Sequence, residues 1–236
     1  MKNIVEKLII NEKDVLKIVL DAYKYNYGLM LTYVNQHAFN VAYTKSEYAE
    51  LLSSKFNIYT DGVGITFFLK YLFKKNVVKF NASDLNKLLL DIFEKHGVKY
   101  FFIGGNFNPS KIDDFMEEKD YFIGYCKGFN VDINVLTAEI KLSQPAVIMI
   151  GMGIPLQEKL SYELSRKIPN KIFICVGNFF EFYFGTKKRA PKFLHNSGFE
   201  WIFRLATEPK RLWKRYLIGI PLFLFRIIKE KFKHNK

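Results

Sequence analysis

Short apolar segments rich in β-forming residues alternate with amphipathic segments of helical period along most of this chain. The predicted strands cover residues 29–34, 56–59, 100–103, 121–125, 146–150 and 171–176. The predicted helices cover residues 36–52, 65–73, 84–96, 134–142 and 156–166, and Ser83 and Asp84 are the predicted N-terminal cap of the third. Because the strands are apolar throughout, the pattern predicts an α/β, Rossmann-like fold, a mostly parallel sheet with helices on both faces. Ligands of such sheets bind at the carboxyl ends of the strands, so we expect the functional residues directly after each strand.

The positive charge of the chain is concentrated in its last fifty residues. Positions 187–236 carry 14 of the 36 Lys and Arg residues and only three acidic residues, so they hold +11 of the formal net charge of +13. The strand pattern ends before this segment, and Pro191, Pro209 and Pro221 divide it into short helical stretches. We therefore predict an α/β domain at residues 1–186 and a basic helical appendage that faces an anionic surface or an anionic substrate.

No segment of the sequence is predicted to cross a bilayer. The longest apolar run, residues 217–225, is interrupted by Gly219 and Pro221, and its nine residues compare with the roughly twenty of a spanning helix. With its flanking cations the run fits an interfacial helix. The N-terminal residues show no apolar signal-peptide core, so we expect a cytoplasmic protein, peripheral on the inner face of the membrane. Cys126 and Cys175 are expected to be reduced, buried thiols.

Polar residues follow the first predicted strand. Asn35, Gln36 and His37 stand at the turn into the next helix. Asn35 either caps that helix or holds a ligand, and the residues alone favour the cap. His37 is a candidate base or phosphate partner, although a lone histidine is more often a surface residue.

A carboxylate and two glycines follow the second predicted strand. Gly62 and Gly64 open the next helix, so backbone amides can approach an anion such as a phosphate. Asp61 lies at the mouth of that turn and is a candidate general base. The other interpretation, that Asp61 caps the helix beginning at Gly62, is equally consistent with the motif.

Further glycine turns follow the later strands. Gly104 and Gly105 form one turn, and the segment from Gly151 through Gly153 to Gln157 and Glu158 forms a richer one, with a proline at the start of its helix. We interpret the second turn as an anion- and ribose-binding loop, although Glu158 also complements the helix dipole.

The last predicted strand leads to Gly177 and an aromatic stretch that contains Glu181. That glutamate is either paired with a cation or functional.

Arginines supply the remaining candidate charges. The sequence has no D-x-D triplet and no Cys/His cluster with metal spacing. A transferase without a metal must neutralise a diphosphate leaving group with cations and backbone amides. Arg204, Arg211 and Arg215 have the spacing to do so, and the alternative is a solvated or lipid-facing basic stripe.

Taken together, these motifs resemble the WecG/TagA/CpsF family of bacterial glycosyltransferases. The resemblance covers roughly residues 30–216, and its most specific part is the R-A-P, E-W-x-x-R-L and E-P-x-R run. The matching stretches are Asn35-Gln36-His37, Asp61-Gly62-Val63-Gly64, Gly104-Gly105, residues 151–158 and 177–185, Arg189-Ala190-Pro191, Gly198-Phe199-Glu200-Trp201-Ile202-Phe203-Arg204-Leu205, Glu208-Pro209 and Arg211.

The resemblance implies a metal-independent, inverting transferase that uses no cofactor and moves a sugar from a UDP-sugar to a polyprenyl-diphosphate-linked acceptor. It implies that Asp61 is the catalytic base and that Arg204 and Arg211 close over the diphosphate, with Arg215 beside them. It also implies that the appendage docks on an anionic membrane leaflet. The implied substrate-binding residues are Asn35, Gln36, His37, Gly62, Gly64, Gly104, Gly105, Gly151, Gly153, Gln157, Glu158, Gly177, Glu181, Arg189 and Arg215.

Two positions depart from the family pattern. Tyr33 stands where the family often has threonine, two residues before Asn35, and Gly177 begins a run that differs from the common Gly-Gly-Ala-Phe-Asp.

Residues 187–215 are expected to face the diphosphate and residues 216–236 to face lipid.

Composition alone leaves two non-catalytic alternatives open, a nucleic-acid-binding protein and a membrane-surface module. We favour the enzyme, without nucleic acid as a partner. The donor sugar, the acceptor sugar and the oligomeric state stay open, a dimer or trimer included.

Overall fold

A parallel sheet forms the centre of the fold. The computed structural model describes residues 2–72, 74, 77, 80–188, 190, 191, 194 and 199–234. Within these ranges seven strands form one sheet in the order β1-β3-β2-β7-β6-β4-β5, and every neighbouring pair is parallel. The strands are β1 (Leu8–Ile9), β2 (Leu29–Val34), β3 (Asn57–Thr60), β4 (Tyr100–Gly104), β5 (Phe122–Cys126), β6 (Val147–Gly151) and β7 (Ile172–Cys175). The predicted α/β class is confirmed, and β1 is an edge strand too short to give a sequence pattern.

Helices connect the strands and continue to the C-terminus. They are α1 (Lys2–Glu6), α2 (Glu12–Lys24), α3 (Gln36–Thr44), α4 (Ser46–Lys55), α5 (Val63–Leu72), α6 (Ala82–His96), α7 (Pro109–Glu118), α8 (Ile133–Ser143), α9 (Leu156–Lys167), α10 (Phe179–Tyr183), α11 (Glu200–Thr207), α12 (Pro209–Trp213), a π-helical turn (Lys214–Ile218) and α13 (Gly219–His234).

Two helix boundaries differ from the sequence prediction. The helix predicted at residues 36–52 is two helices, because Lys45 has an extended backbone that interrupts it. Helix α6 is capped by Asn81, whose side chain accepts a hydrogen bond from the Ser83 backbone N–H at 2.8 Å. Asn81 is a better cap than Ser83 because it precedes the first helical residue, where the free N–H groups begin.

The sheet is buried on both faces. Tyr100 and Phe102 of β4 pack in one hydrophobic cluster, with helices α2, α6 and α7. Phe101 and Ile103, the alternate residues, pack in another cluster on the opposite face, with α8 and α9. All four side chains are fully buried. Helices therefore cover both faces, as predicted, since successive residues of a strand point to opposite sides.

The C-terminal helix α13 is part of the core. Phe223 and Ile227 are each 1% exposed and belong to the same hydrophobic cluster as Phe39 of α3. Arg226 fixes the contact, because its Nη1 donates to the Oδ1 atom of Asn40 at 3.0 Å and to the Asn40 carbonyl at 3.2 Å. The inner face of α13 thus packs against protein.

The outer face of α13 is apolar and exposed. Leu222, Phe225, Ile228 and Phe232 lie on its surface, and Leu217 and Ile218 of the π-helical turn are exposed as well. The expected lipid-facing role of residues 216–236 is therefore open to these exposed side chains and not to the inner face of α13. None of the described helices combines the length and apolarity that a transmembrane span needs.

Candidate active site

A cavity of about 640 Å³ lies at the carboxyl ends of β2, β3 and β7. Helix α5 and the start of α6 line it, together with α11, the π-helical turn and α13. The C-terminal segment therefore covers the edge of the sheet where parallel folds bind their ligands.

The cavity brings together part of the predicted site. The predicted residues that line it are Asn35, Gln36, Asp61, Gly62, Gly64, Arg204 and Arg215. The predicted residues that do not line it, among those described, are His37, Gly104, Gly105, Gly151, Gly153, Gln157, Glu158, Gly177, Glu181 and Arg211. Arg189 lies outside the described residues.

Asp61 is the carboxylate at the floor of the cavity. Its Oδ1 atom accepts a hydrogen bond from the backbone N–H of Ala82 at 3.0 Å, so it helps to cap α6. The competing interpretation had Asp61 capping the helix that follows Gly62, and the structure assigns the capping contact to the next helix instead. Gly62 has a φ of +88°, which turns the chain away from the carboxylate after β3.

The environment of Asp61 raises the pKa of its carboxyl group. Burial is the main cause, and the negative charge of Glu200 acts in the same direction. The Ala82 N–H, the Arg204 guanidinium and the Asn35 side chain oppose the rise. A carboxylate with a raised pKa is a stronger base than a solvated one, which suits proton abstraction from a hydroxyl group.

Asn35 caps a helix and also lines the cavity. Its Oδ1 atom accepts from the backbone N–H groups of His37 at 3.0 Å and Ala38 at 3.1 Å, which caps α3. The same side chain also lines the cavity and lowers the pKa of Asp61. The cap therefore fixes Asn35 beside the carboxylate.

His37 is held neutral beside the site. Burial lowers the pKa of its imidazole to about 4, and the positive charge of Arg215 adds to the effect. A neutral imidazole does not attract phosphate by charge, and a pKa near 4 makes it a weak base. Its contact with the site is the hydrogen bond that its backbone N–H donates to the Asn35 side chain.

The three predicted arginines have different surroundings. Arg204 pairs with Glu200, four residues earlier on α11, at 2.7 Å, and its guanidinium lies 5.0 Å from the ring centre of Phe182. Arg211 makes two hydrogen bonds to Glu208, at 2.6 and 2.8 Å, and its side chain is 46% exposed outside the cavity.

Arg215 differs from both, because no carboxylate pairs with it among the described residues and its Nε atom is buried without a hydrogen-bond partner there. It lines the cavity and its charge reaches both His37 and Tyr33. The side chain is partly exposed, and its unpaired guanidinium is available to an anionic ligand in the cavity, so Arg215 is the best candidate to bind one.

Gln157 and Glu158 lie beneath the cavity rather than in it. Both are 0% exposed at the start of α9. The Gln157 Oε1 atom accepts from the backbone N–H of Gly177 at 3.0 Å, and Glu158 Oε1 accepts from Thr32 Oγ1 at 2.8 Å. The pair thus ties α9 to β2 and to the turn after β7, which carries Asn178 and Phe179 into the cavity wall.

The glycine turns are explained by close packing. A Cβ atom on Gly104 would lie 2.3 Å from the Gly151 carbonyl oxygen, and one on Gly151 would lie 2.6 Å from the Gly177 carbonyl oxygen. Gly105 has a φ of +68° and would meet the ring of Phe107. Glycine is therefore needed here for strand-end packing, whereas a Cβ on Gly153 would meet nothing within 4 Å.

Glu181 is paired with a cation, one of the two alternatives that the sequence left open. Lys187 forms ion pairs with Glu181 and with Glu208, the latter at 3.2 Å. Because Glu208 also binds Arg211, one network links the end of α10 to α12.

Sequence analysis did not assign several of the cavity residues to the site. Glu200, Trp201 and Tyr33 line the cavity, and Trp201 packs near Tyr216 with ring centres 5.9 Å apart. The i, i+4 spacing of Glu200 and Arg204 on a predicted helix was the available signal. Among the described residues, no group of three or more His, Cys, Asp or Glu side chains has the arrangement of a metal site.

A partly buried carboxylate, Asp61, and two guanidinium groups that line one cavity at the carboxyl edge of a parallel sheet are typical of an enzyme that acts on an anionic substrate. Residues 5–236 match the model of the glycosyl transferase WecG/TagA/CpsF family, so the chain belongs to this family. The chain is therefore a glycosyltransferase, and the two non-catalytic alternatives are set aside.

Two relatives illustrate the similarity. The N-acetylglucosaminyldiphosphoundecaprenol N-acetyl-beta-D-mannosaminyltransferase of Bacillus subtilis (strain 168) is 26% identical over 208 residues, which cover 86% of this chain and 80% of the relative. A protein of the same name from Staphylococcus aureus (strain MRSA252) is 26% identical over 213 residues, 89% of this chain and 83% of the relative.

Proposed function

We propose that this enzyme transfers a sugar from a UDP-sugar to a polyprenyl-diphosphate-linked sugar in the synthesis of a bacterial cell-surface polysaccharide. The proposal rests on the family and on the acceptor named for its relatives, an N-acetylglucosaminyl diphosphoundecaprenol. The single observation that carries it is that Asp61, Arg204 and Arg215 line the same cavity.

The reaction is a single displacement that inverts the anomeric centre. Asp61 accepts the proton of the acceptor hydroxyl, and the hydroxyl oxygen attacks the anomeric carbon of the donor. The bond between that carbon and the diphosphate oxygen breaks, and its electron pair leaves with UDP. The raised pKa of Asp61 favours the proton transfer, because a more basic carboxylate holds the proton better.

Cationic side chains stabilise the UDP leaving group without a metal ion. Arg215, which has no carboxylate partner among the described residues, binds a phosphate oxygen directly. Arg204 adds a second positive charge, partly offset by Glu200. Charge that is already oriented before the reaction stabilises the diphosphate anion as it forms.

The enzyme acts at the inner face of the membrane. The C-terminal segment carries exposed apolar side chains, among them Phe225 and Phe232 of α13, and the exposed cations Lys214 and Lys229. This combination suits the interface of an anionic leaflet, where a lipid-linked acceptor resides.

A donor screen tests the proposed reaction. UDP release is measured for a panel of UDP-sugars, including UDP-N-acetylmannosamine, with N-acetylglucosaminyl diphosphate on a short lipid as the acceptor, in the presence of EDTA. We expect one donor to give acceptor-dependent UDP release and a disaccharide lipid product of inverted configuration. Absence of a disaccharide product with every UDP-sugar would overturn the proposal, and release that needs added divalent cation would overturn its metal-independent form.

A further inference from the structure

The cavity lining contains both polar and apolar side chains. Asp61, Asn35 and Arg204, at the carboxyl ends of β2 and β3 and on α11, contribute polar groups. Phe67 and Phe68 from α5 and Ile220, Phe223 and Leu224 from α13 contribute a contiguous apolar part, because Phe68 contacts both Phe67 and Phe223. These five apolar side chains, called here the apolar wall, carry no charge or hydrogen-bonding group.

The apolar wall is held in place by aromatic contacts between two helices. The rings of Phe68 and Phe223 pack edge to face with centres 5.4 Å apart, and Phe223 packs in the same way on Phe39 of α3 at 5.2 Å. The backbone of the wall is thus set by buried core residues, whereas Phe67 remains 50% exposed at the cavity mouth.

The apolar wall continues onto the protein surface. On α5, Phe67 packs against Tyr71 with ring centres 4.4 Å apart, and Tyr71 is 61% exposed. On α13, Ile228 follows Leu224 by four residues, so it lies on the same side of the helix, and it is 43% exposed. An apolar path therefore leads from the apolar wall to the outer surface that bears Phe225 and Phe232.

The chemical groups of the proposed acceptor match the polar and apolar parts of the cavity lining. The acceptor carries a sugar hydroxyl, then a diphosphate, then an apolar isoprenoid chain. With the acceptor hydroxyl at Asp61 and the UDP diphosphate at Arg204 and Arg215, the apolar wall is the part of the lining that suits the isoprenoid chain. We propose that the apolar wall is a binding subsite for the first isoprene units of the acceptor lipid. This inference rests on the proposed function, because it takes its ligand from that reaction.

The subsite gives a reason for the position of α13. Ile220, Phe223 and Leu224 form one side of the subsite, while Leu222 and Phe225 of the same helix are exposed on its outer face. A lipid chain entering from a membrane at the outer face would pass onto the wall without crossing water. Each buried methylene group contributes about 0.8 kcal/mol, so a few isoprene units are enough to bind an otherwise polar acceptor.

Acceptor chain length and an exposed variant test the inference. The acceptors are N-acetylglucosaminyl diphosphates with an ethyl or a farnesyl group, used below their aggregation concentration and without membranes. Phe67→Ala removes an exposed ring of the wall, and Phe129→Ala is the matched control, since Phe129 is 71% exposed and does not line the cavity. We expect the wild-type KM to be at least tenfold lower for the farnesyl acceptor, and Phe67→Ala to raise only that KM by about fivefold to tenfold.

Direct binding separates this inference from the proposed reaction. Trp201 lines the cavity, so its fluorescence reports binding of farnesyl diphosphate or inorganic diphosphate without turnover. We expect farnesyl diphosphate to bind more tightly than diphosphate and to lose about fivefold to tenfold in affinity with Phe67→Ala. Equal binding of the two compounds, or a Phe67→Ala effect on the UDP-sugar instead, would overturn the lipid subsite and assign the aromatic rings to the uracil base. Failure of transfer alongside the expected binding would overturn the proposed reaction alone.

Discussion

The carboxylate of Asp61 accepts a hydrogen bond from the backbone N–H of Ala82, the first residue of α6, at 3.0 Å. One side chain therefore caps a helix and lines the cavity as the candidate base. The two roles use different properties, because the cap needs an oxygen acceptor whereas the base needs a site that can take up a proton.

Substitution of Asp61 separates these roles. Asp61→Asn keeps a carbonyl oxygen for Ala82 and removes the base, so we expect unchanged stability and UDP affinity with kcat reduced by about a hundredfold or more. Asp61→Ala removes both, and we expect a further loss of about 0.5–2 kcal/mol in the free energy of unfolding. Thermal denaturation and steady-state kinetics provide the two measurements. Turnover of Asp61→Asn within a few fold of wild type would exclude Asp61 as the base.

The unpaired state of Arg215 predicts a large effect on the leaving group. In Arg215→Ala we expect UDP to bind at least tenfold more weakly, since a charge-assisted hydrogen bond to a phosphate is worth about 1.5–3 kcal/mol. Arg166→Ala is the matched control, an exposed arginine on α9. Titration calorimetry with UDP measures both. Equal UDP affinity in the two variants would contradict the role given to Arg215.

Arg211 gives a different prediction. The sequence resemblance assigns it to the diphosphate, whereas the structure pairs it with Glu208 outside the cavity. If the described arrangement is the one that binds substrate, Arg211→Ala lowers kcat/KM less than Arg215→Ala does. A larger effect from Arg211→Ala would show that α12 moves toward the cavity during the reaction.

The integration of α13 into the core predicts contrasting effects of two phenylalanines in the same helix. Phe223 is 1% exposed and Phe225 is 66% exposed. We expect Phe223→Ala to reduce the free energy of unfolding by about 3–5 kcal/mol, and Phe225→Ala to change it by less than about 0.5 kcal/mol. Urea denaturation measures both. Deletion of residues 187–236 would then destabilise the body as well, so point variants test the appendage more cleanly than truncation.

Much of the fold was predictable because its signals are local. The apolar strands and the helical periods each lie within one short segment, and parallel topology follows from their alternation. Asp61 and Asn35 were found because residues after parallel strands converge at one edge of the sheet. The two-residue strand β1 and the cap at Asn81 were not found, since neither carries a pattern longer than a few residues.

The rest of the site depends on contacts between distant segments. Gln157 and Glu158 have the composition of a ligand-binding turn, but whether their side chains face the ligand or Gly177 depends on how α9 packs. The distinction between Arg211 and Arg215 depends likewise on the direction of each side chain after the π-helical turn. Local sequence does not encode either direction, because both are set by tertiary packing.

Gly177 and Tyr33 form a close contact that a double substitution can test. A Cβ atom on Gly177 would lie 2.2 Å from the Tyr33 hydroxyl oxygen, and the φ of Gly177 is +58°. We expect Gly177→Ala to lower the melting temperature by several degrees, about 1–3 kcal/mol of stability. Tyr33→Phe removes the clashing oxygen, so the double variant should recover part of that loss. Strict additivity in the double-mutant cycle would place the cost in the backbone alone.

The buried Glu158 predicts how stability depends on pH. Burial raises the pKa of Glu158 to about 7 from its usual 4.5, although hydrogen bonds from Gln157 and Thr32 partly oppose the rise. The folded state then holds a proton that the unfolded state releases above pH 4.5. This contribution is fully present below that pH and is lost as pH rises through about 7, a change of about 3 kcal/mol.

Glu158→Gln removes this titration while keeping a side-chain carbonyl to accept from Thr32. We expect the wild type to lose stability relative to Glu158→Gln between pH 4.5 and 7, and the difference to become constant above pH 8. Urea denaturation of both proteins across this range gives the measurement. Glu163→Gln is the control, because Glu163 is exposed on the same helix and its substitution should leave the wild-type pH dependence intact. Parallel curves for wild type and Glu158→Gln would mean that Glu158 is ionised in the folded protein, which its complete burial argues against.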